Sequence, residues 1–160
     1  DQASRFLITA ECSKIKPLIV LTKIDLVTEN NLISYINKFK SWGYDCIPVS
    51  IHNCKGIDSL IERFRKTQLT VLAGPSGVGK TSLINHLIPT ISLPTSSVSK
   101  KLKRGTHTTR HVELFSIGGG SLLADTPGFN RPEVASDISS FAALNPKLFA
   151  LVTLSTRLSL

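Results

Sequence analysis

The chain has 160 residues, 41% of them hydrophobic and 6% aromatic, with a formal net charge of +8. That is enough apolar material for the core of one domain, or of one domain missing pieces, and no apolar run approaches the roughly 20 residues of a membrane-spanning helix. Cys12, Cys46 and Cys54 are odd in number and form no C-x-x-C pair, which argues against a disulfide framework and a zinc site and for a reducing compartment. The basic balance implies an anionic partner such as RNA, or simply a soluble basic surface. The chain starts with Asp1 and shows no signal peptide, so a fragment or a processed form is expected.

Strands and helices alternate along the chain, which predicts an α/β fold with a mostly parallel sheet. Leu18-Ile19-Val20-Leu21-Thr22 reads as a buried strand. Residues 30–42 read as a helix, with Leu32, Ile33, Ile36, Phe39 and Lys40 as its inner stripe and Gly43 as its stop. Residues 46–50 form a second strand, which Pro48 places at an edge. Residues 57–66 form a helix on Ile57, Leu60, Ile61 and Phe64. Leu69-Thr70-Val71-Leu72-Ala73 is a central strand, and a helix begins by Ser82 and is ended by Pro89. Residues 94–106 are polar and basic and read as a loop. Residues 112–117 and 121–124 are strands joined by the turn Gly118-Gly119-Gly120.

Between the central strand and its helix lies Gly74-Pro75-Ser76-Gly77-Val78-Gly79-Lys80-Thr81, which fits G-x-x-x-x-G-K-[ST] at every fixed position. Glycines at 74, 77 and 79 let the backbone approach crowded anionic oxygens without a Cβ clash. Successive N–H groups then form a nest at the positive end of the helix. Lys80 is expected to reach the β- and γ-phosphates, and the Thr81 hydroxyl to ligate Mg²⁺. The amides of Val78 and Ser82 flank the same cradle. A Gly-rich turn without a ligand is the plainer alternative, but strand, glycines, Lys-Thr and helix all coincide here.

Asp125-Thr126-Pro127-Gly128 follows the apolar Leu122-Leu123-Ala124. A carboxylate at a strand tip points into the ligand crevice of such a sheet, where Asp125 would hold Mg²⁺. The Gly128 amide would meet the γ-phosphate. Alone, the tetrapeptide is also an ordinary turn. Thr22-Lys23-Ile24-Asp25 follows the first strand. The Asp25 carboxylate can accept from the N1–H and exocyclic amine of guanine, a donor pair that adenine lacks. The Lys23 stem can lie over the purine. Ser50 and Ile51 end the second strand and can offer backbone N–H groups to guanine O6.

These parts form the GTPase motif set, but Thr22-Lys23-Ile24-Asp25 and Ser50 precede the phosphate loop instead of following it. That order resembles the circularly permuted GTPases, and most closely the RsgA/YjeQ family of small ribosomal subunit maturation. The resemblance spans about residues 4–130. It is carried by Arg5-Phe6-Leu7, Leu21-Thr22-Lys23-Ile24-Asp25-Leu26, Val49-Ser50, residues 74–85, the run from Gly105-Thr106-His107-Thr108-Thr109-Arg110 to Leu114, and Ala124-Asp125-Thr126-Pro127-Gly128-Phe129.

The resemblance implies a P-loop NTPase fold: a circularly permuted GTPase domain over residues 1–146, incomplete, with a guanine-recognition half at 1–66 and a phosphate-loop and switch half at 67–130. Residues 147–160 are a divergent tail. It implies GTP as substrate, Mg²⁺ as cofactor, and the small ribosomal subunit and its RNA as partners. A monomer, soluble and without a membrane, is expected in bacterial cytoplasm, a plastid or a mitochondrion. Thr108 or Thr109 would complete the Mg²⁺ shell as the switch threonine. Phe129 stands where many GTPases carry a water-positioning Gln, and His107 matches the family's replacement for it; it also reads as a plain loop histidine. Lys100, Lys101, Lys103, Arg104 and Arg110 would contact ribosomal RNA phosphates, or form a solvated basic loop.

Two departures from the pattern bear on selectivity. Thr22 replaces the usual Asn; its hydroxyl can still brace the phosphate loop, which predicts weaker, not lost, guanine preference. Gly77 stands where potassium-activated members carry Asn, so potassium dependence has no support. The family's amino-terminal OB-fold and zinc subdomain are not in this chain, and no Cys follows Cys54. One central strand, expected upstream of Asp1, is also missing. The apolar run Leu148-Phe149-Ala150-Leu151-Val152-Thr153-Leu154 follows a candidate helix at 137–144 and is predicted to fill that gap. Two rivals stand beside this reading. A guanylate-kinase-like enzyme fits residues 74–80 and 107–110 but has no place for Thr22-Lys23-Ile24-Asp25. A nucleotide-dependent RNA-binding switch without useful hydrolysis fits a shortened chain.

Overall fold

A computed structural model describes residues 2–12, 14–75, 77–93, 113–125 and 148–156. In chain order the elements are α1 (Gln2–Cys12), β1 (Lys16–Thr22), α2 (Glu29–Ser41), β2 (Cys46–Pro48), α3 (Ile57–Arg65), β3 (Leu69–Ala73), α4 (Lys80–Leu87), β4 (Glu113–Ser116), β5 (Leu122–Asp125) and β6 (Leu148–Ser155). The sheet runs β2-β1-β6-β3-β5-β4. Every pairing is parallel except β4 with β5, the hairpin closed by Gly118-Gly119-Gly120.

Period-two alternation in the strands builds two cores. Ile19, Leu21, Val71, Ala73, Ala124, Ala150, Val152 and Leu154 face the side covered by α1 and α2, with Phe6, Leu7, Ala10 and Phe39 packed on them. Leu18, Val20, Leu72, Leu123 and Leu151 face the other side, with Ile57, Leu60, Phe64, Leu83 and Ile84 from α3 and α4. Near-continuous apolar runs are what strands buried on both faces require, which is why β1, β3 and β6 were legible as strands.

The tail does fill the gap. β6 lies between β1 and β3 in one register, with Leu18 beside Leu151 and Val71 beside Ala150. Residues 150–156 are all buried. β2 is an edge strand, as Pro48 requires.

Three expectations needed correction. The segment 2–12, read only for its family residues, is a helix, with Phe6, Leu7 and Ala10 at helical spacing as its buried face. In α2 the inner face is Leu32, Ile36 and Phe39. Ile33, 49% exposed, and Lys40 turn outward, because i, i+4 and i+7 already span the narrow stripe that meets the sheet. The second strand ends at Pro48, since Ser50 leaves the sheet to pair with Lys55.

Candidate functional site

Because β1, β6, β3 and β5 run parallel, their carboxyl ends share one edge of the sheet. Thr22, Gly74, Asp125 and Thr156 all emerge there. Ligands of open parallel sheets bind at such an edge.

The loop after β3 is shaped by its glycines. Gly74 has φ +149°, and a Cβ there would meet the Thr153 carbonyl oxygen at 2.3 Å, so β6 forms a wall of the loop. Gly79, at φ 103°, is the N-cap of α4, whose Leu83 and Ile84 are buried. The Lys80 ammonium donates to the carbonyls of Gly74 at 2.6 Å and Pro75 at 2.9 Å. It thus rests on its own loop, within reach of whatever the loop holds. Thr81 and Ser82 are half-buried on the first turn. Ser76 lies outside the described residues.

Burial lowers the Lys80 pKa from its usual 10.5, and the charge of Asp125 opposes that shift. The folded chain holds this proton less tightly than the unfolded chain, so between the lowered value and 10.5 the unfolded chain binds more protons. Lys80 then adds stability as pH rises through the window between its lowered value and 10.5. Phosphate binding has the opposite sign, because it requires the cation. Affinity for inorganic tripolyphosphate is expected to fall as pH climbs through that lowered value, with proton uptake on binding in the same range. Calorimetry in two buffers of different ionisation heat checks both.

The loop after β1 reaches the same place from far along the chain. Thr22 is 2% exposed, and its hydroxyl donates to the Val78 carbonyl at 2.6 Å, with the Leu154 carbonyl a second acceptor at 3.1 Å. Thr22 therefore braces the phosphate loop, as the replacement of Asn by Thr anticipates. Lys23 sits in the left-handed region at φ 59°, and its ammonium donates to the Gly77 carbonyl at 2.7 Å. Its aliphatic stem spans the space between the two loops. Asp25 lies on a single 3-10 turn, Ile24–Leu26, where the Ser50 hydroxyl donates to its Oδ1 at 2.5 Å.

Ser50 contributes differently from the sequence expectation. Its amide donates to the Lys55 carbonyl at 3.0 Å, so the side chain, not the backbone, faces the site and orients Asp25. Gly56 permits this pairing: it has φ +74°, and a Cβ would lie 2.0 Å from the Pro48 carbonyl oxygen. The Ile51 amide has no acceptor among the described residues.

Thr22, Lys23, Asp25, Ser50, Ile51, Gly74, Gly77, Val78, Gly79, Lys80, Thr81, Ser82 and Asp125 thus gather at one edge. Lys100, Lys101, Lys103, Arg104, His107, Thr108, Thr109, Arg110 and Gly128 lie outside the described residues. Sequence reasoning missed the polar groups at the end of β6 and just past it, above all Thr156, whose hydroxyl donates to the Lys23 carbonyl at 2.9 Å. It also missed Asn85, whose side-chain amide exchanges two hydrogen bonds of 2.9 Å with the Leu93 backbone and so ties residue 93 back onto α4. No helix among the described residues is long and apolar enough to cross a membrane.

Comparison with known proteins bears on this edge. The sequence profile of the RsgA GTPase family matches residues 1–135. A protein of Prochlorococcus marinus strain NATL1A named small ribosomal subunit biogenesis GTPase RsgA is 82% identical over 147 residues, 92% of this chain and 47% of that protein. The protein of the same name from Parasynechococcus marenigrum strain WH8102 is 49% identical over 148 residues, 92% of this chain and 50% of its own length. The crystal structure of YjeQ from Thermotoga maritima matches with a TM-score of 0.59 at 27% identity, over 80% of this chain and 42% of that one. The chain spans about half the length of the curated relatives it matches. The arrangement of six strands with a phosphate loop after the central one is that of a permuted P-loop GTPase, and the chain belongs to the RsgA GTPase family.

Proposed function

We propose that the carboxyl edge of the sheet binds and hydrolyses GTP, as the GTPase domain of a small ribosomal subunit maturation factor. One observation carries this reading: the Thr22 hydroxyl meets the Val78 carbonyl at 2.6 Å across 56 residues of sequence, joining a base-reading loop to a phosphate-holding loop. A single ligand long enough to touch both is a purine nucleotide with its phosphates.

Asp25, oriented by Ser50, accepts from the guanine N1–H and amine, with the Ile51 amide available to O6. The loop amides from Gly74 to Ser82, with Ser76 and Gly77 among them, cradle the phosphates, and Lys80 leaves the Gly74 and Pro75 carbonyls to meet the β- and γ-oxygens. Thr81 and Asp125 are hard oxygen donors on neighbouring elements, a set that suits Mg²⁺, which takes few protein ligands beside phosphate oxygens and water. Thr108 or Thr109 adds a hydroxyl in the GTP state, and Gly128 an amide to the γ-phosphate. When bound, the ion supplies charge stabilisation to the β- and γ-oxygens.

Hydrolysis is in-line attack of water on the γ-phosphorus. The bond to the β-bridging oxygen breaks, leaving GDP and inorganic phosphate. Phe129 cannot orient that water by hydrogen bonding, so the role falls to His107. Lys100, Lys101, Lys103, Arg104 and Arg110 contact ribosomal RNA phosphates, and that contact brings His107 into place, which makes turnover subunit-stimulated and salt-dependent.

The test is single-turnover hydrolysis by the chain with and without small ribosomal subunits. His107→Ala is expected to keep GTP affinity and to lose about a hundredfold to a thousandfold of the stimulated rate, the usual weight of one positioned group. An unchanged stimulated rate removes His107 from the reaction.

A further inference from the structure

Both bonds that tie the base loop to the phosphate loop are backed by the carboxyl-terminal strand. The Thr22 hydroxyl, on Val78, also lies 3.1 Å from the Leu154 carbonyl. Thr156, one residue past β6 and 5% exposed, turns over the base loop: its amide donates to the Thr22 carbonyl at 3.3 Å and its hydroxyl to the Lys23 carbonyl at 2.9 Å. The Thr22 carbonyl is a second, longer option for that hydroxyl at 3.3 Å. One hydroxyl has one hydrogen, so the shorter contact is the bond.

The acceptor is a strained residue. Lys23 holds φ 59° and ψ 37°, a left-handed conformation that is unfavourable for a residue with a Cβ. Such a conformation persists where its surroundings over-determine it. Here the Lys23 carbonyl is held by Thr156 and its ammonium by the Gly77 carbonyl at 2.7 Å. Between those two fixed ends runs the stem, and two residues on lies Asp25. The left-handed turn at 23 sets where both point.

We propose that Thr156 is a positioning residue for base recognition: by bonding the Lys23 carbonyl it fixes the left-handed turn that aims the Lys23 stem and the Asp25 carboxylate at the purine. This rests on the guanine-nucleotide reading above. Thr156 touches no nucleotide itself; it acts through Lys23.

The experiment uses the full chain and measures Kd for GTP, ATP and inorganic tripolyphosphate by calorimetry, with Tm alongside. Thr156→Val keeps the shape and removes the donor; Thr156→Ala removes the donor without bulk and serves if the valine variant does not fold. Thr156→Ser keeps the donor. The expected result is a roughly tenfold fall in GTP-over-ATP discrimination for the donor-less variant, with tripolyphosphate affinity unchanged, Tm lowered by only about 2–4 °C as the loss of one buried hydrogen bond implies, and both discrimination and Tm restored by serine. Equal discrimination in the donor-less and unsubstituted chains overturns the proposal. So does a loss shared by tripolyphosphate and Tm that serine does not rescue. An unsubstituted chain that binds GTP and ATP alike overturns the base-site reading, and this inference with it.

Discussion

A chain ending at residue 147 is expected not to fold. β6 stands between β1 and β3, so its removal splits the sheet and exposes two central ladders of backbone N–H and C=O groups. It also removes Leu151 and Val152, both fully buried, and Leu154, 1% exposed. Three such side chains contribute roughly 5–9 kcal/mol by transfer alone at about 1.5–3 each, against a total stability of roughly 5–15 kcal/mol for a domain of ordinary size. The loss is comparable to the whole. Circular dichroism and thermal melting of the 1–147 chain should show no cooperative transition, and GTP binding should vanish with it. A sharp melt close to that of the full chain would mean that β6 is dispensable, and the sheet order described above would be wrong in solution.

Lys80→Ala is the second large effect, and it separates binding from folding. In the GTP complex Lys80 would make charge-assisted bonds to two phosphates, each worth about 1.5–3 kcal/mol. Losing both predicts a roughly 10²- to 10⁴-fold rise in Kd for GTP. The fold should survive: among the described residues the ammonium bonds only the Gly74 and Pro75 carbonyls of its own loop, at a cost in burial that alanine avoids. Fluorescence titration with a labelled nucleotide and a parallel melt read the two quantities. Near-native affinity would place the phosphates elsewhere.

The parallel strands were legible because strands buried on both faces must be nearly continuous apolar runs, as Leu18 to Leu21 are and as Leu148 to Leu154 are apart from the buried Thr153. The loop after β3 was legible because its chemistry forces glycines at fixed places, and Gly74 has no room for a side chain. Thr22 was legible as a brace because a hydroxyl can replace a carboxamide in a single bond. The tail strand was inferred from its own apolar run together with a vacancy in the sheet. By contrast, α1 was passed over: Phe6, Leu7 and Ala10 carry helical spacing, but over too short a segment to stand out.

What stayed hidden is long-range polar geometry. The bond from Thr156 to Lys23 joins residues 133 apart, and no local pattern marks it. Ser50 was read for its amide because it ends a strand. The bridge to Lys55, permitted by the tight left-handed Gly56, takes that amide and leaves the hydroxyl to hold Asp25. Neither could be read from residue types, since both depend on how a turn closes in three dimensions.

The convergence of the Asp25, Lys80 and Asp125 loops on one guanine nucleotide is tested most directly by titrating the chain with GTP and with ATP under identical Mg²⁺ and salt. The account predicts about a hundredfold or greater preference for GTP, because adenine leaves the Asp25 carboxylate without its two donors. Equal affinity for the two nucleotides, or binding of neither by a folded chain, would contradict it.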